Sequence, residues 1–359
     1  MHKFRSQAGG SLVSLMIGLM VSMLLMLALV SSIRFYGQTQ NNALGGAASL
    51  QARIGALDDM ARESRNAGVG FFHLGQRACD ALNIYDGVSK SVIADNQAVL
   101  PVQIQDGGSG SDQVSFASFG TLMSGVAIPV RADMRNAHAY VELAGGYGLA
   151  ENQMVMLANP GSGAPCTLGQ VSKLLDLPQG FRIQMTPGQA TRWNPPNPNA
   201  AFSVPVTYPK GSILYAVPGL PRVMTYSHTG QALQFTEALS ARTGTLAQNV
   251  VRLKAWYGVS STGAATIDLW TPASGAWAAP LSSDKMAQVR AIRVVLVTQS
   301  PQPAESLKDP EACTTTTTAP VSWPGGPALD VSGIAGWKCY RFGVSHVVLP
   351  LTNLIFAGA

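Results

Sequence analysis

A long uncharged segment near the start of the chain limits its possible structures more than any other feature. No charged residue occurs between Arg5 and Arg34, and residues 10–33 are mostly apolar. A helix needs about 20 apolar residues to cross the ~30 Å hydrocarbon core of a bilayer, and this segment is long enough. Lys3 and Arg5 precede it, which favours a cytoplasmic N-terminus. The sequence therefore predicts one membrane helix over residues 10–33.

Two other kinds of segment have a similar composition. A secretory signal peptide has an apolar region of roughly 7–15 residues that ends at a small-residue cleavage site. The segment here is longer, and a helical pattern continues through residues 31–65 without a turn. A buried core helix is rarely this long and rarely begins a chain. Both alternatives are disfavoured.

Residues 34–66 are predicted to continue the helix outside the membrane. Small and apolar residues recur there at spacings of three and four, which places them on one helical face, with Arg53 off that face. Gly68 and Gly70 follow, and because glycine accepts left-handed backbone, they predict the end of the helix. The predicted apolar face consists of Ala43, Ala47, Leu50, Ile54, Leu57 and Ala61.

The remainder, residues 67–359, has the pattern of short strands separated by turns. Residues 289–298 have apolar side chains on both faces, which predicts a central strand covered by the helix. The proline-rich segment 191–209 predicts a surface loop or linker, and therefore a sub-boundary in the domain. Predicted strands cover residues 113–117, 153–157, 181–185, 212–217, 222–227, 231–235, 250–257, 266–270, 289–298 and 340–349.

The segment 9–16 (GGSLVSLM) resembles the class III signal of type IV prepilins and pseudopilins. In that family a prepilin peptidase removes a short basic leader after a glycine, and the apolar block remains as the stem of the mature subunit. The register implies a leader over residues 1–9 and cleavage after Gly9, so that Gly10 becomes the first mature residue. Cleavage after Gly10 is the alternative. The resemblance also implies methylation of the new amino terminus.

Two positions depart from the family pattern. Gly10 replaces the usual Phe or Leu, and Ser14 stands where the family has a glutamate at mature position five. In the family that glutamate neutralises the N-terminal amine of a neighbouring subunit, and a carboxylate in hydrocarbon is costly without such a role. Among pseudopilins, the tip subunit that starts assembly lacks it. Ser14 therefore fits a subunit that starts assembly, and it equally fits drift in a low-copy subunit.

Later segments resemble the minor pilin family PilW. They are the helix end at 57–68, the segment 245–259 with its VxxLxxxYGV pattern, the strand 289–297 and the closing segment 340–354. They occur in the order found in the family, whereas residues 80–240 carry no family signature. The resemblance implies an α+β fold, in which a long N-terminal helix packs on an antiparallel β-sheet domain with an enlarged β-rich C-terminal region.

The resemblance implies a minor pilin that takes part in priming type IV pilus assembly within a tip or initiation complex. Implied partners are other minor pilins, the major pilin, the prepilin peptidase and the inner-membrane assembly platform, with a large tip adhesin as a further candidate. The protein would span the inner membrane once, with its domain in the periplasm, and then reach the pilus tip at the cell surface. Alternatives are a minor pseudopilin of type II secretion and a tip adhesin or DNA-binding subunit. Because the net charge of +5 is unclustered, no nucleic-acid partner is expected.

The four cysteines are not arranged as a metal site, because no two are close in sequence and the histidines are scattered. An even number of cysteines in an exported domain indicates disulfides. Their order suggests the pairs Cys79–Cys166 and Cys313–Cys339, although four cysteines allow three pairings. Free buried thiols are the alternative.

No catalytic motif is found, so neither enzymatic activity nor a cofactor is expected. The glycine-rich segment 107–111 fails the G-x-S-x-G pattern at its last position. Asp58 and Asp59 are adjacent on a helix and point about 100° apart, so they do not face each other as an acid–base pair. Asp106 and Asp112 are weak calcium candidates without the closing glutamate of an EF-hand loop. Aromatic residues considered as a stacking surface, with core packing as the default, are Trp256, Tyr257, Trp270 and Trp277.

The first prediction concerns processing. We expect full-length chain made together with a prepilin peptidase to begin at Gly10, and chain made without the peptidase to keep its leader. Sequencing of the mature N-terminus measures this directly. An uncut chain, or a cut near residue 30, would contradict the resemblance to prepilins.

Overall fold

The computed structural model describes residues 12–73, 76–119, 127–135, 140–146, 148–185, 191–217 and 219–357. The expected leader and cleavage site, Gly9 and Gly10 included, lie outside these residues. The side chains of Ser14, Ala43 and Ala47 lie outside the described part as well. A long helix is followed by several β-sheets, so the predicted α+β class is confirmed.

The first element is one unbroken helix of 55 residues, α1 (Leu12–Asn66). It ends where the glycines predict. Gly68 has a φ of +83°, and its backbone N–H donates to the carbonyl of Ala117 at 2.9 Å. This hydrogen bond ties the turn after the helix to the β-rich region.

Twenty strands and three short α-helices follow α1 in the described part of the chain. The strands are β1 (Phe72–His73), β2 (Gln76–Arg77), β3 (Ala81–Asp86), β4 (Ser91–Ala98), β5 (Val102–Gln105), β6 (Gln113–Ser118), β7 (Ala127–Pro129), β8 (Tyr140–Leu143), β9 (Met154–Ala158), β10 (Cys166–Gln170), β11 (Lys173–Leu177), β12 (Gly180–Gln184), β13 (Ile213–Ala216), β14 (Arg222–Thr229), β15 (Ala232–Glu237), β16 (Arg242–Gln248), β17 (Val250–Val259), β18 (Leu269–Pro272), β19 (Val289–Gln299) and β20 (Phe342–Pro350). The helices are α2 (Pro198–Ala201), α3 (Ser283–Met286) and α4 (Thr352–Ala357).

The described strands form five sheets. A six-stranded sheet has the order β4-β3-β10-β9-β13-β7, and a three-stranded sheet has the order β11-β12-β8. A five-stranded sheet, β16-β15-β14-β6-β5, and a four-stranded sheet, β18-β17-β19-β20, lie nearest to the helix, and β1 and β2 form a small ribbon. Among the described strand pairs, β3 and β10 are parallel and the others are antiparallel.

The interior strand β19 is buried on both faces, as its sequence predicts. Ile292, Val294 and Leu296 point into a core shared with the end of α1 and the five-stranded sheet. Val295 and Val297 point the other way, into a second cluster under the loop that joins β19 to β20. The four-stranded sheet therefore forms a middle layer between the helix and that loop.

The proline-rich segment 191–209 packs against the six-stranded sheet. Trp193 and Tyr208 are buried in two different apolar clusters. The Tyr208 hydroxyl donates a hydrogen bond to the carbonyl of Pro165 at 2.8 Å. Strand β13, which follows the segment, pairs with β9, which precedes it. The six-stranded sheet thus includes strands from both sides of this segment.

The structure contains two disulfides, in the pairs that the order of the cysteines suggests. Cys79–Cys166 links the chain before β3 to β10 in the six-stranded sheet. Cys313–Cys339 closes part of the loop between β19 and β20, with a sequence separation of 26. Leu329 and Val331 of this loop cover the outer face of β19.

Removal of the second disulfide is expected to loosen the loop. For a sequence separation of 26, the chain-entropy argument gives a loss of about 3.5 kcal/mol in a Cys313→Ser/Cys339→Ser variant. Denaturant unfolding followed by tryptophan fluorescence reports it, because Trp323 and Trp337 pack in the same cluster. The wild type with both disulfides intact, measured under the same non-reducing conditions, serves as the reference. An unchanged unfolding midpoint would contradict the expectation.

Candidate assembly helix and its anchorage

The N-terminal part of α1 is an apolar stem that the rest of the chain does not cover. Residues Leu15–Ile33 are long and apolar enough to cross a membrane, and none of them is buried. The large apolar side chains of this stem are exposed by between 47 % (Val30) and 72 % (Met26). An exposed apolar surface of this extent requires lipid or other protein segments around it.

The apolar stripe in the second half of α1 coincides only in part with the face that packs on the domain. Leu50 and Ile54 belong to the stripe, yet they are 46 % and 57 % exposed. Arg53 lies off the stripe, yet it is only 9 % exposed. Leu57 is buried as expected. Leu50 and Ile54 are therefore apolar side chains that the described part of the domain leaves exposed.

The face that packs on the domain is built largely from small residues and one methionine. Met60 is completely buried among side chains of the five-stranded and four-stranded sheets. Small residues let the helix backbone approach the sheets closely. The face that packs on the sheets lies on a different side of the helix from Leu50 and Ile54. The buried positions on this face include Ala56, Ser64 and Ala67.

Two polar contacts join the end of the helix to strand β14. Arg222 donates to both carboxylate oxygens of the buried Glu63, at 3.1 Å from Nε and 3.0 Å from an Nη atom. This hydrogen bonding raises the pKa of Arg222. One turn earlier, the Tyr226 hydroxyl donates to Asp59 at 2.7 Å. Burial, together with this carboxylate, raises the pKa of Tyr226. The two contacts fix both the position and the rotation of the helix.

The last carbonyl groups of α1 are satisfied by a residue close to the other end of the chain. Asn353 in α4 donates from Nδ2 to the carbonyl of Arg65 at 2.8 Å and to that of Ala67 at 3.0 Å. Helix ends leave carbonyl groups without intrahelical partners, so this side chain stabilises the final turn. Leu354 packs in the same core as the helix. Residues far apart in sequence thus meet at the base of the stem.

The remaining candidate residues have structural roles in the described part of the chain. The ammonium group of Lys254 lies between Asp106, at 3.2 Å, and Asp112, where a cation would have to bind. Trp256 stacks edge-on against Trp323 in a buried cluster. Among the described residues no cluster of His, Cys, Asp and Glu side chains is suited to a metal ion. Ser14 lies in the first turn of α1, and its role stays a prediction.

The ion pair at the base of the stem gives the next prediction. Glu63→Gln is expected to destabilise the protein by about 2 kcal/mol, because it removes a buried ion pair. The loss is no larger because Arg222 is partly solvated and water can stabilise its charge. Hydrogen exchange should become faster in residues 56–66 first. Arg62→Gln is the matched control, since Arg62 is exposed and pairs only with its helical neighbour Asp59. Equal effects of the two substitutions would contradict this anchoring role.

Comparison with known proteins agrees with the resemblance found in the sequence. Residues 219–350 match the family model PilW, described as Type IV Pilus-assembly protein W. This region runs from the start of β14 through β20 and includes Arg222 and Tyr226, which hold the helix. No curated protein and no solved structure matches the chain. The similarity to the PilW family of type IV pilus-assembly proteins therefore covers the C-terminal region of the chain, residues 219–350.

Proposed function

We propose that this protein is a minor pilin that takes part in priming type IV pilus assembly, as part of a tip or initiation complex. The observation that carries the proposal is an uncovered apolar stem continuous with a helix half that is anchored in the domain. The match to a type IV pilus-assembly family favours a pilus over a secretion pseudopilus. Its proposed partners are other minor pilins, the major pilin, the inner-membrane assembly platform and a large tip adhesin.

In this proposal the stem has two successive environments. The chain first spans the inner membrane with its N-terminus in the cytoplasm and its domain in the periplasm. After a prepilin peptidase cuts behind Gly9, the stem leaves the lipid and packs against the stems of other subunits. Both environments are apolar, so burial alone drives little of the exchange, and close packing at small residues contributes more.

The polar groups within the stem suit such an exchange. The hydroxyl of Ser22 donates to the carbonyl of Leu19 at 2.9 Å, and the hydroxyls of Ser31 and Ser32 both donate to the carbonyl of Ala28 at 2.8 Å. A hydroxyl bonded within its own helix does not need a partner in lipid or in protein. A Cβ added at Gly18 would have none of the described residues within 4 Å outside its own helical turn, which leaves room for a neighbouring helix.

The position of this subunit in the fibre is inferred from Ser14 and from the size of the domain. Without the family glutamate, a stem has no carboxylate with which to neutralise the N-terminal amine of a neighbouring subunit. A subunit that enters the fibre first has no earlier subunit whose N-terminal amine it must neutralise. The large β-rich domain also suits a cap, because no subunit has to stack above it. These features support a place at the tip.

The proposal predicts few pili in cells that lack this protein and label at one end of each fibre in cells that have it. Piliation counts by electron microscopy, with immunogold labelling by an antibody against the domain, measure both. Complementation by the wild-type gene is the control. Normal pilus numbers after deletion, or label spread along the fibres, would contradict priming at the tip. A loss of protein secretion with normal pili would instead support the pseudopilin alternative.

A further inference from the structure

Arg53 is a buried cation for which the described part of the chain supplies no counter-ion. It lies on α1 with only 9 % of its surface exposed. An Nη atom donates to Thr298 Oγ1 at 3.0 Å, and the buried Nε has no hydrogen-bond partner. No acidic residue within the described part of the chain pairs with it. Burial of an unpaired charge destabilises the fold. The Nε of Arg53 is an unsatisfied donor at this position.

The backbone around Arg53 is shaped to accept it. Gly343 on β20 is paired with Thr298 on β19. A Cβ at position 343 would lie 2.3 Å from an Nη atom of Arg53, so any other residue there would displace the guanidinium from its present position. The guanidinium thus packs directly against the backbone of β20.

Arg53 opens onto a cavity of about 230 Å³ between α1, the end of β19 and the start of β20. Arg341 lines the same cavity, and none of the described residues that line it is acidic. Gln299 also lines it, is nearly buried, and has a terminal amide oxygen without a partner. Since the two ends of an amide are nearly isosteric, this group can turn its NH₂ toward an anion. The cavity therefore offers donors and positive charge.

The shape of these donors favours a carboxylate. Guanidinium groups bind carboxylates through two parallel N–H donors, and the unpaired Nε of Arg53 belongs to such a fork. A lipid headgroup is too distant, because Arg53 follows the end of the apolar stem at Ile33 by 20 residues, which is about 30 Å along a helix. The exposed Leu50 and Ile54, which lie within one turn of Arg53, mark a surface for protein contact.

We propose that the cavity at Arg53 and Arg341 binds an acidic side chain of a neighbouring subunit that packs along the stem. The carboxylate satisfies the buried guanidinium and fixes the rotation of the neighbour around the helix. The identity of the occupant as a neighbouring subunit rests on the proposed function, whereas the existence of a carboxylate-binding site does not.

The first test uses the purified full-length protein in detergent, with N-acetylglutamate amide as the probe at constant ionic strength. We expect the melting temperature of the wild type to rise by about 2 °C at saturating probe. Arg53→Met and Arg341→Met should lose this rise, while Arg135→Met, a change at an exposed arginine outside the cavity, should keep it. Without probe, Arg53→Met should melt no lower than the wild type, because it removes an unpaired buried charge.

These outcomes separate a binding site from a structural role. A rise that is lost in both cavity variants and kept in the control supports the site. No rise in the wild type, an equal rise in all variants, or a marked loss of stability in Arg53→Met without probe would overturn it. Arg341→Met keeps the test informative if Arg53→Met does not fold. Pilus assembly is not needed for any of these readings.

The second test identifies the occupant in piliated cells. Gln302, an exposed residue that lines the cavity, is replaced by p-benzoylphenylalanine and activated by light. A cross-link to a protein segment that contains Asp or Glu supports the proposal. A cross-link to lipid, or to a segment without an acidic residue, would overturn the assignment of the occupant.

Discussion

An unbroken helix whose two halves have different surroundings is the constraint on which the rest of this structure depends. In the first half, none of the residues Leu15–Ile33 is buried by the described part of the chain, so this apolar segment needs lipid or foreign helices around it. The second half must therefore be held firmly enough that the stem keeps a defined direction. Met60 provides the apolar part of this attachment, and Glu63, with its two hydrogen bonds from Arg222, provides the directional part. Apolar packing alone would permit rotation about the helix axis, whereas a bidentate ion pair does not.

The buried face of the helix carries two charged residues of opposite sign that are treated differently. Glu63 is neutralised within the chain, while Arg53, ten residues earlier and about 15 Å along the axis, is neutralised by nothing among the described residues. The paired charge lies deep at the base of the stem, and the unpaired charge lies beside the exposed Leu50 and Ile54. The contrast follows the change in surroundings along the helix: the buried charge is paired at the base of the stem and unpaired where the neighbouring apolar side chains are exposed.

The sequence predicts those features that depend on local patterns. The end of α1 at Gly68 and the two buried faces of β19 follow from glycine conformation and from side-chain alternation. The packed face of the helix could not be predicted, because alanines and a glycine leave the periodicity ambiguous and because the large apolar residues Leu50 and Ile54 are exposed rather than in the core. Strands such as β10 also lack a pattern: its sequence, CTLGQ, becomes a strand through parallel pairing with β3 and a disulfide to Cys79. Such contacts join distant residues and leave no local trace. The burial of Arg53 was not predicted from the sequence, because a charged residue beside an apolar stripe is usually solvated.

The location of the family match separates most of the residues that bind the helix from the six-stranded and three-stranded sheets. Arg222, Tyr226 and Thr298 bind the helix through their side chains and lie within residues 219–350, and Asn353, which binds the end of the helix, lies just after this region. The strands of the six-stranded and three-stranded sheets all lie outside that region, between β3 and β13. These sheets have apolar clusters of their own, one of which is closed by the Cys79–Cys166 disulfide. Among the described residues, the cores of these sheets contain no residue of α1, so their packing does not depend directly on the position of the stem.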